Sequence, residues 1–152
     1  MENLDRIDRK LIDELSRDAR LSIAELARRV GLSKTPVQLR LKRLEASGVI
    51  RGYRAFLDPK RMGLDHVAFV EVKLSDTRER ALAAFNKAVG SVVEIEECHM
   101  IAGAFDYLLK VRTSDINRYR LVLGEKISSL PFVAQTSTHV AMQSVKDGGI
   151  VT

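Results

Sequence analysis

The sequence predicts an α+β chain, with a small helical domain at its N-terminus and a βαββαβ domain at its C-terminus. Apolar residues recur at helical spacing through about the first 45 residues, and helical and strand-like patterns alternate after about residue 65. Residues 1–60 contain 14 Lys and Arg against nine Asp and Glu, whereas residues 61–152 contain 11 of each. The net charge of +5 therefore belongs to the first part, and the two parts differ in both architecture and charge.

The composition indicates a folded chain with no membrane segment, disulfide or metal site. Its 152 residues, 45% of them hydrophobic and 30% charged, suffice for one ordinary domain or two small ones. No run approaches the roughly 18 apolar residues of a membrane span, and the amino end lacks an apolar signal core, so the cytoplasm is the expected location. Cys98 is the single cysteine, and the three histidines (His66, His99 and His139) are scattered. We expect neither structural zinc nor a cofactor.

The first two predicted helices are short and amphipathic. The first extends over about residues 5–17 and the second begins at Ser22. Ser22 and Glu25 have the form of a capping box, in which each side chain accepts a hydrogen bond from the backbone N–H of the other residue. Gly31 supplies the positive φ that ends the second helix. The apolar stripes comprise Leu4, Ile7, Leu11, Ile12 and Leu15 in the first helix, and Ile23, Leu26, Ala27 and Val30 in the second.

A third helix follows within three residues. Ser33 is its predicted N-cap, and Pro36 is acceptable in the first turn because an N–H there has no intrahelical acceptor. Val37, Leu41 and Leu44 form its buried stripe. A short helix, a turn containing glycine and a second helix with Lys, Thr, Gln and Arg outside its apolar stripe make a helix-turn-helix, here expected in winged form.

The positive charge is densest around this motif. Eight basic residues and one acidic residue lie between Arg28 and Arg54. In a helix-turn-helix the early exposed residues of the second helix reach base edges in the major groove, and later basic residues contact phosphates. A solvated helical face without DNA contacts is the alternative for each residue. The predicted base readers are Lys34, Thr35 and Gln38, the predicted phosphate contacts are Arg28, Arg29, Arg40, Lys42 and Arg43, and Ser33 completes the predicted DNA-binding set.

The C-terminal part follows the βαββαβ order of a ferredoxin-like domain. The predicted elements are a strand over 68–74, a helix from Asp76 or Glu79 to Gly90, strands over 92–101 and 105–113, a helix capped by Asp115, and a last strand over 133–145 after Pro131. Residues Phe105, Tyr107, Leu109 and Val111 are predicted to share a strand face, and Ile116, Tyr119, Leu123 and Ile127 to point inward. The predicted boundaries are a helix-turn-helix domain over 1–50, an extended hinge over 51–64 and a ferredoxin-like domain over 65–152. Val49 to Ala55 are predicted to form a short extended run that leads from the first domain into the hinge.

Both faces of the predicted sheet carry apolar residues. Val67 and Phe69 lie opposite the 68–74 face, and Ile95 and Ile101 lie opposite Cys98 and Met100. Two helices can cover only one face of a four-stranded sheet, so a second covering is needed, most simply another copy of the sheet. We predict a homodimer through this domain. Two recognition helices in a dimer match a pseudo-palindromic site on double-stranded DNA.

The titratable residues do not indicate an enzyme. They offer no nucleophile paired with a base and no glycine-rich phosphate loop. Cys98 is interpreted as a buried strand residue, and the acidic run Glu94, Glu96 and Glu97 as solvated edge residues. An architectural protein that bends DNA with little sequence preference remains an alternative to a gene regulator, and the ratio of specific to non-specific affinity distinguishes them.

The chain resembles the Lrp/AsnC family of transcriptional regulators over nearly its whole length. The resemblance rests on LDRIDRKLIDELSRDARLSIAELARRVGLSKTPVQLRLKRLEASGVIRGY, ECHMIAGAFDYLLKV and LPFVAQTSTHVAM. It implies a DNA-binding domain hinged to an amino-acid-binding domain, and dimers that often assemble into octamers. Lys34 and Val37 depart from the proline and cysteine that many relatives carry, which leaves the operator sequence open. The GAFDYLLKVR and LGEKIS stretches resemble regulators of proline utilisation that activate a proline dehydrogenase gene.

The same resemblance implies an effector site between subunits. It lies near the turn that joins the second and third strands and against the last strand. Asp106 or backbone carbonyls would accept from an amino-acid ammonium group, and turn N–H groups or threonine hydroxyls would donate to its carboxylate. From the residues alone, a hairpin glycine, a turn aspartate and strand threonines explain the pattern equally well. The implied effector-binding residues are Met100, Ala102, Gly103, Ala104, Phe105, Asp106, Thr136, Thr138 and His139.

Overall fold

Five α-helices and four strands lie along residues 4–147, the part of the chain that the computed structural model describes. The chain divides between Ala55 and Phe56 into a helical unit and a sheet unit. The elements are α1 Arg6–Arg17, α2 Ile23–Val30, α3 Lys34–Ala46, β1 His66–Leu74, α4 Glu79–Val89, β2 Ile95–Met100, β3 Tyr107–Thr113, α5 Ile116–Val122 with a π-helical turn Leu123–Ile127, and β4 Val133–Val140. The α+β fold class and the βαββαβ order are confirmed. The last five residues of the predicted C-terminal domain lie outside the described residues.

The helical unit begins with a complete capping box. The Asp5 side chain accepts from the backbone N–H groups of Ile7 and Asp8, and the Asp8 side chain accepts from the N–H of Asp5. Only one of the two hydrogen bonds of the capping box predicted for α2 is formed. Ser22 accepts from the N–H of Glu25 at 3.2 Å, whereas the Glu25 carboxylate turns to Arg28 and Arg29.

The glycine in the turn between α2 and α3 has the predicted backbone conformation. Gly31 has φ 75° and ends α2 in the left-handed conformation. Ser33 is the N-cap residue of α3, but its side chain makes no capping hydrogen bond, so the predicted side-chain cap is wrong. The three helices close over one apolar cluster, which contains Leu11, Leu26, Ala27, Val30, Val37 and Leu41.

The segment after α3 contains no regular strand between residues 47 and 65, apart from an isolated bridge at Leu57. It is tied to α3 by the Tyr53 hydroxyl, which donates to Glu45 at 2.9 Å. Burial, together with this hydrogen bond, raises the pKa of Tyr53 to about 12. The run over Val49 to Ala55 is therefore tied to α3 by this side chain and by the N–H of Ile50, which donates to the carbonyl of Leu44 at 2.9 Å, rather than by strand pairing.

The sheet unit has the antiparallel strand order β2-β3-β1-β4. Ala68, Val70 and Val72 of β1 are fully buried on the face that α4 and α5 cover. The other face, called the open face below, carries the alternate β1 residues from Val67 to Lys73 and their partners on β3 and β4. The residues of the helix-covered core include Phe85, Val89, Tyr107, Leu109, Val111, Tyr119, Val122 and Ile127.

A bulge in β2 corrects the predicted assignment of its faces. Ile95 pairs with Val111 and Cys98 pairs with Leu109, with a register shift between Ile95 and Glu97. Ile95 therefore packs against the helix-covered core, on the same side as Cys98. The prediction that these two residues lie on opposite faces is wrong because a bulge inserts one residue and breaks the two-residue period.

Two further side-chain predictions are wrong at the ends of elements. Phe105 precedes β3, and it lines a cavity on the open face with Glu71 and Lys73 instead of sharing the core face of Tyr107. Ile116 is 53% exposed, although Tyr119 and Ile127 are buried as predicted. Ile116 is the first helical residue of α5, and the π-helical turn at the other end shifts the helical phase so that Ile127 faces the core.

The last strand ends earlier than predicted. β4 stops at Val140, and residues 141–147 cross the open face instead of extending the strand to 145. The N–H of Ala141 donates to the carbonyl of Val67, and the Asp147 carboxylate accepts from the guanidinium of Arg112. Part of the second covering predicted for the open face is thus supplied by the chain itself.

A buried ionic network anchors this crossing segment. Arg112 is only 5% exposed, and it donates to the Glu96 and Asp147 carboxylates and to the carbonyl of Leu64. Lys110 lies beside it and pairs with the same two carboxylates. Burial by itself lowers the pKa of Lys110, but the hydrogen bond and charge of Glu96, together with the charges of Asp147 and Glu97, outweigh it, so the pKa is raised.

The prediction that the acidic run is solvated holds for Glu97, which is 51% exposed on the edge strand β2, and is wrong for Glu94 and Glu96. The Glu94 side chain is 12% exposed and pairs with Lys126 and Arg118, and Glu96 is 18% exposed. Within residues 4–147 we find no helix of the length and apolar character that a membrane crossing needs.

Candidate functional sites

The exposed face of α3 is the candidate nucleic-acid interface. Val37, Leu41 and Leu44 are buried, so the helical period of 3.6 residues places Thr35, Leu39 and Lys42 on the opposite side. All predicted base readers, together with Ser33, are exposed in the structure. Gln38 lies at the flank of this face rather than at its centre.

The two arginines of α2 that the sequence predicts as phosphate contacts are already in ion pairs. Arg28 and Arg29 both bind the Glu25 carboxylate, and Arg29 also bonds to Glu14 of α1 at 2.7 Å. Hydrogen bonds from the two guanidinium groups lower the pKa of Glu25 to about 2. To bind a phosphate, either arginine must divide its N–H donors between Glu25 and the phosphate, or give up its bond to Glu25.

A buried carboxylate of α1 holds the two arginines of α3. Asp8 is fully buried and accepts from Arg40 at 2.7 Å and from Arg43. Arg40 also donates to Asp5 at 2.6 Å. Three charge-assisted hydrogen bonds from side chains therefore join the start of α1 to the middle of α3. This cluster is not among the residues predicted from the sequence, although Asp5 and Asp8, like Arg40 and Arg43, have the i, i+3 spacing of one helical face.

Lys42 differs from the four arginines predicted to contact phosphates. Within residues 4–147 no carboxylate lies within ion-pair distance of its ammonium group. It is exposed on the same side of α3 as Thr35. Among the predicted phosphate contacts, Lys42 therefore has no ion pair within the described residues that phosphate binding would have to break.

The turn between β2 and β3 is held by Asp106. Its backbone N–H donates to the carbonyl of Val72, and its carboxylate Oδ2 accepts from the N–H of Leu74 at 2.7 Å. The carbonyl of Asp106 accepts from Ile101. This carboxylate fixes the turn against β1, so its predicted role as acceptor for an ammonium group competes with a structural one.

A small cavity of about 120 Å³ opens beside this turn on the open face. It is smaller than the roughly 300 Å³ at which pockets for drug-sized ligands begin. His139, a predicted effector residue, reaches it through Glu71, whose carboxylate lies 3.1 Å from the histidine Nε2. The cavity is lined by Glu71, Lys73, Ala104, Phe105, Gln135 and Ser137.

The structure separates the predicted effector residues of β4 onto two faces. Thr138 pairs with Val70 and Thr136 pairs with Val72, both of which face the helices. The Thr138 hydroxyl lies 2.5 Å from the Tyr119 hydroxyl. The two threonines therefore face the helices, whereas His139 pairs with Phe69 and faces the open side of the sheet.

The remaining predicted effector residues stay near the turn. Met100, Ala102, Gly103 and Ala104 are exposed, and Met100 ends β2 with 61% of its surface accessible. Gly103 has one side-chain atom near its would-be Cβ, Cγ2 of Ile101 at 3.5 Å. Neither strain nor crowding requires glycine there.

The comparisons with known proteins match both units. A family model described as winged helix-turn-helix DNA-binding matches residues 4–51, and one described as the Lrp/AsnC ligand binding domain matches residues 67–151. The chain is 65% identical over 149 residues to the proline dehydrogenase transcriptional activator of Rhizobium radiobacter, covering 98% of this chain and 96% of that one. It is 46% identical to the leucine-responsive regulatory protein of Escherichia coli, covering 95% and 88%.

Solved structures give the same result. An AsnC family transcriptional regulator from Agrobacterium tumefaciens superposes with a TM-score of 0.87 at 34% identity, covering 94% of this chain and 93% of that one. A transcriptional regulator from Neisseria meningitidis, solved in complex with L-Met, gives a TM-score of 0.86 at 30% identity, covering 95% and 94%.

Proposed function

The chain belongs to the Lrp/AsnC family of transcriptional regulators, and we propose that it activates a gene of proline catabolism in response to proline. The observation that carries this proposal is the 65% identity, over 98% of the chain, to a relative named for activating proline dehydrogenase. A second relative of that name, from Rhodobacter capsulatus, is 57% identical over 142 residues.

The broader function does not depend on proline. The chain is a DNA-binding transcriptional regulator with an amino-acid-binding domain, and not an enzyme. Cys98 fits this conclusion, because burial raises the pKa of its thiol and so makes it a poor nucleophile.

The DNA contacts in this proposal follow the exposed surface of the helical unit. Thr35 and Gln38 read base edges, with Lys34 at the start of α3, and Lys42 contacts a phosphate. Arg28 and Arg29 also contact phosphates, and their guanidinium groups then divide their N–H donors between Glu25 and the DNA. Arg40 and Arg43 chiefly hold α3 against α1, so they act as positioning residues.

We place the effector in the cavity beside the β2–β3 turn. The cavity has one cation and one anion in its wall, Lys73 for the carboxylate of an amino acid and Glu71 for its ammonium group. Ala104 and Phe105 add a small apolar wall suited to the proline ring. Both charged residues lie on β1, so β1 contributes to the proposed site, and the sequence analysis did not include it.

The oligomer in this proposal is a homodimer through the open face, which assembles further to an octamer. Phe69 remains 37% exposed there beside buried Val67, at a cavity of about 420 Å³ that residues 141–147 only partly close. Phe69→Glu places a charge in the interface and should give a monomer in sedimentation velocity, while Leu121→Glu on the surface of α5 should not. A Phe69→Glu dimer would refute this interface.

The test of proline is thermal unfolding against each common amino acid. A ligand that binds only the folded state stabilises it by about 2.7 kcal/mol at 100 times its Kd. We expect L-proline to raise Tm and D-proline not to. Lys73→Met should abolish the shift, whereas Lys87→Met, on the exposed surface of α4, should keep it.

Each outcome tests a different part of the proposal. A shift by another amino acid but not by proline would refute proline and retain the amino-acid-responsive regulator. A proline shift that survives in Lys73→Met would refute the site and retain the effector. Equal proline affinity with and without operator DNA would refute control of DNA binding, because coupling between two binding sites is reciprocal.

A further inference from the structure

Leu39 is an anomaly on the surface of the helical unit. Its side chain is 64% exposed, and among the described residues of α1–α3 no other large apolar side chain is more than about a third exposed. It lies in the middle of α3, between Thr35 one turn before it and Lys42 one turn after it. Packing within the unit does not explain a leucine there.

Leu39 lies at the centre of the exposed face of α3, and the neighbouring charged residues lie beside it. Arg40 and Arg43 lie to one side of α3 and are drawn towards Asp8 on α1. Lys42 is exposed one turn after Leu39, and in the proposed function it contacts a phosphate. The residue at the centre of this exposed face of α3 is therefore apolar.

The chemistry of the major groove restricts what such a side chain can contact. Leucine has no hydrogen-bond donor or acceptor, and the C5 methyl of thymine is the distinctive apolar group that base pairs present in this groove. We infer that Leu39 packs against a thymine methyl in each half of the operator and selects thymine there. This inference rests on sequence-specific DNA binding through α3 and adds the base that Leu39 recognises.

The experiment begins with an operator selected from random DNA by the full-length protein. Each thymine of the selected site is then replaced singly by deoxyuridine, which removes the methyl and leaves the hydrogen-bonding groups unchanged. For one thymine in each half-site we expect affinity to fall about fourfold, the value for losing one buried methyl. Leu39→Ala should bind the thymine site more weakly and show no further loss on the deoxyuridine site.

Two controls separate recognition from folding. Alanine is a better helix former than leucine and position 39 is exposed, so Leu39→Ala should unfold at an unchanged or higher temperature. Leu121→Ala removes an equally apolar side chain, 44% exposed on α5, and should keep the full fourfold loss on deoxyuridine.

Three results would overturn the inference. If no sequence is enriched, specific recognition through α3 fails, and the inference fails with it. If a site is enriched but tolerates deoxyuridine at every thymine, only the role of Leu39 fails. If Leu39→Ala binds the thymine site more weakly and still loses about fourfold in affinity when thymine is replaced by deoxyuridine, Leu39 contacts the sugar-phosphate backbone or another protein chain.

Discussion

Within residues 4–147 the helical unit and the sheet unit each bury one charged residue, and the two charges differ in sign and surroundings. In the helical unit the carboxylate of Asp8 is fully buried, and its partners Arg40 and Arg43 have side chains that are 27% and 49% exposed. In the sheet unit the guanidinium of Arg112 is buried, and its partners Glu96 and Asp147 are only 18% and 16% exposed.

This difference indicates what each network does. The arginines around Asp8 reach water and belong to the helix that faces DNA, so the network positions a binding surface that stays accessible. The carboxylates around Arg112 come from a strand bulge and from the segment after β4, so that network fixes irregular backbone. A buried charge is costly unless it is paired, which makes both networks sensitive to the loss of one partner.

The largest expected effect is at Arg112. Arg112→Met leaves Lys110 to compensate the two poorly exposed carboxylates of Glu96 and Asp147. We expect the free energy of unfolding of the sheet unit to fall by about 3 kcal/mol. Urea denaturation measures this change. Arg120→Met, at an exposed position of α5, should change it by less than about 0.5 kcal/mol. Equal effects of the two substitutions would contradict the structural role of the network.

Asp8→Asn should cost less, about 2 kcal/mol, because the released guanidinium groups can turn into water. The same substitution at Asp13, whose ion pair with Arg17 is exposed, should change stability by less than about 1 kcal/mol. DNA binding gives a second measurement. If Asp8 positions α3, Asp8→Asn lowers the ratio of specific to non-specific affinity, whereas a purely stabilising residue leaves that ratio unchanged in the folded protein.

Asp147→Asn tests the outer end of the sheet-unit network. Arg112 keeps Glu96, so we expect a smaller loss of about 1 kcal/mol in global stability. The amide protons of residues 141–147 should exchange faster than in the wild type, while those of β1 residues such as Val70 should not. Unchanged exchange in the segment would show that contacts other than Asp147 hold it across the open face.

The smallest effect on stability is expected from Glu25→Gln, which changes an exposed ion pair of the helical unit. The folded-state pKa of Glu25, about 2, lies below its ordinary value of 4.5. The ion pair therefore stabilises fully above pH 4.5, and this stabilisation is lost as the pH falls from 4.5 to 2. The variant should lack that part of the acid dependence in thermal unfolding.

The same variant has a larger effect on DNA. The substitution frees Arg28 from its ion pair with Glu25 and leaves Arg29 with Glu14 alone. It should raise affinity for random duplex about threefold at low salt and steepen its salt dependence, by up to about 0.9 in log–log slope for each added phosphate contact. Asp13→Asn, which removes an exposed acid of α1, controls for the change in net charge alone. A threefold gain in that control as well would assign the effect to net charge.

The helices and strands were largely predictable from the sequence because local patterns specify them. Val37, Leu41 and Leu44 gave the correct buried stripe of α3, and Gly31 gave the correct end of α2. The predictions were wrong where a backbone irregularity changes the period. They were also wrong at the start of a helix. The β2 bulge moved Ile95 to the core side, and Ile116, the first residue of α5, is exposed.

The candidate sites were less predictable because their partners are distant in the chain, as for Arg40 and Arg43. A basic residue on a helix has the same sequence pattern whether it binds phosphate or a carboxylate distant in the chain. Asp8 lies 32 positions before Arg40, and only the packing of α1 against α3 joins them. The effector residues of β4 illustrate the same point, because alternate residues of one strand belong to different faces.

The sequence by itself determined the order of elements, the helix-turn-helix, the concentration of positive charge before residue 60 and the apolar character of both sheet faces. These properties follow from local periodicity and composition. Tertiary structure alone decided which arginines are held by carboxylates, which face Phe105 joins and how residues 141–147 return over Arg112. Each depends on contacts between residues far apart in the chain, whose partners are set by packing geometry and by the need to pair every buried charge.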